Sequence, residues 1–396
     1  MLIAGEASGD QLAAELVRGL RDEFARSPAI PTRDHQPLHG TFEPRFFGAG
    51  GPQMAAAGVD LTLDLTAHAV LGISEVLKHY LKFRRIFQRL LRVAIDRQPD
   101  AIICVDFSGF NRRFAHAIRR YTRSRRDWFH RWDPKLIQYV SPQVWASREG
   151  RANQMARDYD LLLSIFPFEP AWYAARVPGF RVEFVGHPII ERYATAAPPV
   201  SLRGDPPRNL LLLPGSRRSE LDHHLPVMNE ALRIIRSGFP GLKVLMVVPT
   251  EPLSRQASKI GLAPEVELQV GRLPEALAGA DVAIASTGTV TLECAFFGVP
   301  TVALYKTTWV NYEIAKRIAK VKYLAMPNLL TNEEIFPEFI QGPATAENIS
   351  AAALDLLRDP NKRNAIRARL GKVIEMLRGP GARQRAARSI SQLFSV

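Results

Sequence analysis

Leu210-Leu211-Leu212-Leu213-Pro214-Gly215-Ser216-Arg217-Arg218-Ser219-Glu220 decides how this chain is read. Four consecutive leucines between Asn209 and Pro214 spell a strand buried on both faces, the pattern of a parallel sheet. At Pro214-Gly215-Ser216-Arg217 the backbone turns and presents amide groups. Amides, a hydroxyl and a guanidinium fork together suit a phosphate, but an ordinary turn with a solvated Arg fits this stretch equally well. A second turn tips the balance. Asp281–Ser286 reads as a strand and Thr287-Gly288-Thr289 as its turn, leading into a helix that carries Glu293. Two such turns at the carboxyl ends of strands in one parallel sheet lie where open α/β sheets bind ligands.

Outward from there, strand and helix alternate in both directions. Val244–Val248, Val266–Val270, Val282–Ala285 and Thr301–Leu304 are further strands of the second half. In the first half Met1–Ala4 runs into Gly5-Glu6-Ala7-Ser8-Gly9-Asp10, then a helical pattern through Leu12, Leu16, Val17 and Leu20. This is a strand, a glycine turn and a helix, though not G-x-G-x-x-G; the opening strand is so short that a start site placed a few residues late fits it. Ile102–Val105 leads to Asp106-Phe107-Ser108-Gly109-Phe110-Asn111, Leu136–Val140 to Ser141-Pro142-Gln143-Val144-Trp145-Ala146, and Val182–Val185 to Gly186-His187-Pro188. Residues 27–45 and about 122–134 read as surface insertions. Pro198–Pro207 carries four prolines and is the best domain boundary. The expected organisation is residues 1–197 as an N-terminal domain, 198–370 as a second α/β domain, and 371–396 as a helical tail packing back on the first. Two such doubly wound domains facing each other across a cleft describe the GT-B type of glycosyltransferase.

With 396 residues, 46% hydrophobic and 23% charged, the chain is globular and too long for one core. No run reaches the roughly 18–20 apolar residues of a membrane span, and the first residues lack the pattern of a signal peptide. Two cysteines suit a cytosolic protein; Cys104 and Cys294 are expected to pack in the core. The net charge of +13 attracts phosphates of nucleotides, lipids or metabolites without choosing among them. Gly72–Arg92 stands apart. Val76, Leu77, Tyr80, Leu81, Phe83, Phe87, Leu90 and Leu91 recur at near-helical spacing among Lys78, Lys82, Arg84, Arg85, Arg89 and Arg92. Such a basic amphipathic helix is a membrane-surface element or a core helix with a solvated face, and the sequence weighs the two equally.

These loops, taken in order, resemble lipid-A-disaccharide synthase, family 19 of the glycosyltransferases. The likeness rests on Gly5–Asp10, Tyr139–Ala146, Phe184–Pro188, Leu213–Arg217, Gly288-Thr289 with Thr291-Leu292-Glu293, Met326-Pro327-Asn328-Leu329-Leu330 and Pro337–Gln341, and so spans the chain. It implies an inverting transfer of a diacylglucosamine from UDP to the 6-hydroxyl of diacylglucosamine 1-phosphate, giving the β(1→6) disaccharide of lipid A. It also implies a cytoplasmic protein held peripherally on the inner face of the membrane, with an anionic lipid surface and a second copy of the chain among its partners and nucleic acid not among them.

No Asp-x-Asp motif stands at the carboxyl end of a strand, the one such triplet, Asp158-Tyr159-Asp160, coming before Leu161–Ile165, so no metal or other cofactor is expected. Diphosphate departure then falls to Arg217 with the amides near Gly215 and Ser216. Glu220, Thr287, Gly288, Thr289, Glu293, Asn328 and Gln341 complete the expected donor site, with Glu293 on the ribose. On the acceptor side stand Ser8, Asn111, Ser141, Gln143, Trp145 and His187, and Lys82, Arg84, Arg85 and Arg89 face the bilayer. The acceptor hydroxyl needs a general base. Asp106 is chosen because it ends a strand on the ligand side, whereas Asp100 begins that strand roughly 20 Å away. Many family members carry Asp-x-Pro-Asp-Phe-Asn here; this chain has Gly109 at the second Asp. Glu6, Asp10 and His187 are the reserve candidates, a structural cap being the commoner fate of such a His. Another UDP-sugar GT-B enzyme, such as a peptidoglycan N-acetylglucosaminyltransferase or an epimerase, would share the second-half motifs but not Gly5–Asp10 or Tyr139–Ala146. A silent nucleotide-sugar binder and a basic nucleic-acid-binding protein are the more distant rivals.

Overall fold

Seven short strands of the first half form one parallel sheet and six of the second half another. The computed structural model describes residues 1–26, 43–66, 80–193, 207–377, 379 and 381–394, with the side chains of 80–82 left out. The first sheet holds β1 (Leu2–Ala4), β2 (Phe47–Gly50), β3 (Asp60–Asp64), β4 (Ala101–Val105), β5 (Lys135–Tyr139), β6 (Leu161–Ser164) and β7 (Val182–Phe184). The second holds β8 (Asn209–Leu213), β9 (Lys243–Val248), β10 (Val266–Val270), β11 (Val282–Ser286), β12 (Thr301–Tyr305) and β13 (Glu338–Ile340). The central strands are short, apolar and covered on both faces, as helices on both sides of a parallel sheet require.

Strand order is β3-β2-β1-β4-β5-β6-β7 in the first sheet and β10-β9-β8-β11-β12-β13 in the second. Each sheet therefore begins in its middle, steps outward to one side, then returns to lay its fourth strand against the other side of its first. Leu2 pairs with Ile103 and Ala4 with Val105; Leu210 pairs with Val282 and Leu213 with Ala285. This is the doubly wound order, and its reversal leaves a crevice at the carboxyl ends of the two central strands. Gly5–Asp10 and Asp106–Asn111 flank that crevice in the first sheet, Pro214–Arg217 and Thr287–Thr289 in the second. The α/β fold expected from the sequence is the fold observed.

The chain divides into two units, Met1–Pro188 with Gly379–Val396, and Ile189–Arg378. The sequence puts the division at the prolines of 198–207, of which 198–206 lie outside the described residues. The structural division falls earlier because Ile189–Arg192 packs on the helix Thr289–Phe296 of the second unit. The last helix, Ala382–Ser391, lies along Ala7–Arg26. At Gly19 a Cβ would stand 2.7 Å from the Arg383 side chain, so a residue without one is needed there. Arg385 Nε donates to the Val185 carbonyl at 2.7 Å and Ser389 Oγ to Glu183 at 2.5 Å.

The helix Tyr80–Arg97 turns its apolar stripe inward. Ile86, Leu90 and Ala94 are core residues, and the Phe87 ring meets Phe110 and Phe114 edge-on at 5.5 and 5.8 Å. Arg84, Arg85, Arg89 and Arg92 stay exposed. Over its described length this is the core helix with a solvated basic face; residues 72–79 and the Lys82 side chain lie outside the described residues, as do 27–42 of the first insertion. Cys104 and Cys294 are buried, and burial pushes the Cys104 thiol up to about 12. Among the described residues no helix is long and apolar enough to cross a membrane.

Candidate active site

Asp106 ends β4 at the first crevice with φ of 48°, and Phe107 comes next with φ of 42°. Two consecutive non-glycine residues in the left-handed region cost of order 1 kcal/mol or more each, and such strain persists only where the surroundings fix it. Here they do. The Asp106 amide donates to the Tyr139 carbonyl at 2.9 Å, and its carbonyl accepts from Asn111 Nδ2 at 2.9 Å and Gln138 Nε2 at 3.3 Å. A Cβ on Gly5 would lie 2.2 Å from the Phe107 ring, so glycine there lets the two loops interlock. Burial, then the nearby Glu6 charge, raises the Asp106 carboxyl above the ordinary range. A carboxylate destabilised in this way holds a proton more readily, which suits a base working near neutral pH.

The other first-unit residues sort differently. Glu6, Ser8 and Gln143 are exposed on the same edge of the sheet. Asp10 is not: it is buried and accepts from the amides of Gly51, Gln53 and Met54 at 2.8, 2.9 and 3.0 Å. It caps the helix Pro52–Ala56, which corrects its reading as a reserve base. Asn111 is likewise fully buried, its Nδ2 on the carbonyls of Val105 and Asp106. It shapes the Asp106 turn through Nδ2, while its buried Oδ1 meets no protein partner.

Ser141 and Trp145 meet at a carboxylate that carries no signal in the sequence. Glu169 is fully buried; it accepts from Trp145 Nε1 at 2.8 Å, is hydrogen-bonded to Ser141, and lies 2.5 Å from Ser164 Oγ. Burial pushes its carboxyl up to about 7. Ser164 Oγ also donates to the Phe166 carbonyl at 2.7 Å and accepts the Phe166 amide at 3.1 Å. One hydroxyl proton cannot fully serve two acceptors, so a protonated Glu169 donating to Ser164 satisfies every partner. Val140, just before Ser141, has φ of 67°, a strained value for a β-branched residue. His187 is half-buried with its ring 5.7 Å from that of Phe166.

In the second unit the Pro214–Arg217 turn is already occupied from within. Glu220 Oε2 accepts from the amides of Ser216 and Arg217 at 2.7 and 3.3 Å, and its Oε1 meets Arg217 Nη1 at 3.3 Å. Glu220 thus caps the helix Arg218–Gly238 and steadies Arg217. Gly215, at φ of 130°, could carry no Cβ without meeting Glu220 at 2.4 Å. The Arg217 side chain is largely exposed. At the neighbouring turn Gly288 begins the helix Thr289–Phe296 with no side-chain cap, so amides and dipole point toward the crevice. Thr287 is half-buried and Thr289 exposed at this turn. Glu293 sits one turn on, its carboxyl raised by burial and its Oε1 accepting from Tyr193 Oη at 2.6 Å.

Asn328 and Gln341 do not reach outward. Asn328 donates to the Phe336 carbonyl at 2.8 Å and Glu338 at 3.3 Å, and accepts from the amides of Ile335 and Phe336 at 2.9 and 2.8 Å. All four of its hydrogen-bonding places are filled, which corrects its reading as a ligand contact. Gln341, at φ of 59°, clamps Thr307 by accepting its amide at 3.0 Å and donating to its carbonyl at 2.9 Å. His224 ties the Pro214 turn to the residue after β12, donating from Nδ1 to the Pro214 carbonyl at 2.7 Å and accepting the Lys306 amide on Nε2 at 3.0 Å. Burial lowers its pKa, so this neutral tautomer persists.

The family profile for lipid-A-disaccharide synthetase matches residues 1–392. The chain belongs to the lipid-A-disaccharide synthetase family. The lipid-A-disaccharide synthase of Trichlorobacter lovleyi is 35% identical over 98% of this chain and 95% of its own, and that of Geobacter metallireducens 33% over 100% and 97%. Among solved structures, the glycotransferase of kitacinnamycin aligns with a TM-score of 0.59 at 18% identity, over 99% of this chain and 97% of its own. The UDP-GlcNAc 2-epimerase of Neisseria meningitidis, solved with UDP-GlcNAc, gives 0.56 at 11%, over 99% and 98%. Transferases and epimerases share this GT-B fold, so it is the family match that selects the transferase. In this member of the synthetase family Gly109 opens onto space, since a Cβ there meets nothing within 4 Å. The sequence does not single out Glu169, Tyr193 or His224, nor the capping role of Glu220. Of these only Glu220 has a sequence signal: a Glu at the third helical position marks a capping box.

Proposed function

We propose that the chain joins UDP-2,3-diacylglucosamine to 2,3-diacylglucosamine 1-phosphate with inversion, giving the β(1→6) lipid A disaccharide 1-phosphate and UDP. The observation that carries this is Asp106, held in a strained turn at the first crevice with its carboxyl raised by burial and Glu6. Asp106 takes the proton of the acceptor 6-hydroxyl. The oxygen attacks the anomeric carbon opposite UDP, and the bond to the diphosphate breaks with its electron pair leaving on UDP. One displacement inverts the centre.

The leaving charge falls to Arg217, which Glu220 orients, and to the uncapped end of Thr289–Phe296. Glu293 offers its remaining oxygen to ribose hydroxyls. These groups neutralise the diphosphate without a metal ion in the proposed reaction. The proposed location is the cytoplasmic face of the inner membrane, with Arg84, Arg85 and Arg89 supplying the attraction to anionic lipid.

Incubation of both acylated sugars with the enzyme, with and without EDTA, tests the reaction. Asp106→Asn should lower kcat by about 10²–10⁴-fold and leave UDP affinity by calorimetry unchanged. Substantial activity in Asp106→Asn would make its role structural and turn attention to Glu6; lost UDP binding would put Asp106 on the donor side.

A further inference from the structure

The helix Trp309–Ile318 is built inside out. A surface helix of a globular protein turns its apolar stripe to the core, yet no residue of this helix is buried. Trp309, Val310, Ile314 and Ile318 are 66, 64, 55 and 40% exposed. Val310, Ile314 and Ile318 recur every four residues and so share one face, and the half-covered Tyr312 lies on the other side. Arg317 flanks the stripe, Lys316 lies on the Tyr312 side with its Nζ 5.9 Å from that ring, and Lys320 and Lys322 come after the helix, against the one acid Glu313 between Trp309 and Lys322.

We propose that this face is the second unit's docking surface for an anionic lipid bilayer. Exposed aliphatics, a Trp at the helix start and a basic rim are the features of a helix lying in a membrane interface. Position agrees. The helix comes after β12, so it leaves the second sheet at the carboxyl edge, as the Gly215 and Gly288 turns do, and its approach is fixed by the Gln341 clamp on Thr307. In the first unit the helix Tyr80–Arg97 has its stripe in the core and offers a bilayer charge. Trp309–Ile318 offers apolar surface. The docking itself stands on these observations; the value of holding a donor with acyl chains beside its own bilayer rests on the function proposed above.

The test compares the parent chain with the triple variant Val310→Ser, Ile314→Ser, Ile318→Ser on phosphatidylglycerol and phosphatidylcholine vesicles. Calorimetric UDP binding serves as the check that the second unit remains folded. The parent should partition to phosphatidylglycerol, and the triple variant roughly tenfold or more weakly. Brominated lipid should quench the parent's Trp emission, and Trp309→Phe should remove most of that quenching. Equal partitioning of parent and triple variant, or quenching that survives Trp309→Phe, overturns the proposal. So does a triple variant that still binds vesicles but changes oligomeric state, because the face would then join two copies of the chain. Transfer between detergent-dispersed sugars is measured separately, so a failed reaction and a failed docking surface are told apart.

Discussion

Glu169→Gln replaces a buried acid by its neutral shape, and the structure gives the size of the effect. The carboxyl is raised from 4.5 to about 7 by burial. At about 1.36 kcal/mol per pKa unit, that is about 3 kcal/mol. The folded state binds this proton more tightly than the unfolded state, so stability falls as pH rises. The contribution is whole below about 4.5 and is lost as pH passes through about 7. In Glu169→Gln the carboxamide oxygen keeps the Trp145 indole, and its NH₂ replaces the acid proton toward Ser164. The variant should therefore lose this pH dependence and match the parent at acid pH. Two assays read it. Trp145, 2.8 Å from the carboxylate, should give an emission change with a midpoint near 7 that disappears in Glu169→Gln and in Trp145→Phe. Urea unfolding tracked by that emission at pH 5.5 and 8.5 should show the parent losing stability between them and the variant losing less. A titration that persists in Glu169→Gln, or a parent whose emission is flat across this range, would refute the reasoning.

Arg217→Ala should fold normally, since its side chain is largely exposed, and lose about 1.5–3 kcal/mol of phosphate interaction, or more in the transition state; parent-like kcat/KM sinks the diphosphate role. Asn328→Ala leaves several buried backbone groups unpaired and should cost about 3 kcal/mol or more in thermal unfolding, with UDP affinity intact in the folded fraction; the reverse pattern would restore Asn328 to the ligand. Lys82, Arg84, Arg85 and Arg89 changed together to Gln should release the chain from phosphatidylglycerol vesicles at moderate salt, each charge contributing on the order of 1 kcal/mol near the surface. Pelleting like the parent would leave that helix with no part in binding.

The sheets were legible because a strand covered on both faces has to be apolar along its length, as Leu210–Leu213 and Ile102–Val105 are. The turns were legible because Gly215 and Gly288 stand where strand gives way to helix. Side-chain duties were harder. Asn328, Asn111 and Asp10 have the polarity of ligand contacts, but sequence cannot show whether such a group faces a crevice or satisfies buried amides. The Pro214–Arg217 amides looked available for the same reason, and Glu220 four residues on from Ser216 takes them. The apolar residues of Tyr80–Arg97 and Trp309–Ile318 have similar spacing, and only the packing tells which stripe is covered.

The return of Ala382–Ser391 to the first helix has a consequence for synthesis on the ribosome. The second unit is one uninterrupted stretch, Ile189–Arg378, whereas the first needs the segments on either side of it. Domains commonly fold in the order in which they emerge. Here the later-emerging unit has every residue it needs while the earlier one still lacks its closing helix. Until Ala382–Ser391 has emerged, the groove at Gly19 and the Val185 carbonyl wait for Arg383 and Arg385. A nascent chain of this protein therefore presents the flank of its first helix uncovered for as long as the whole second unit takes to be made.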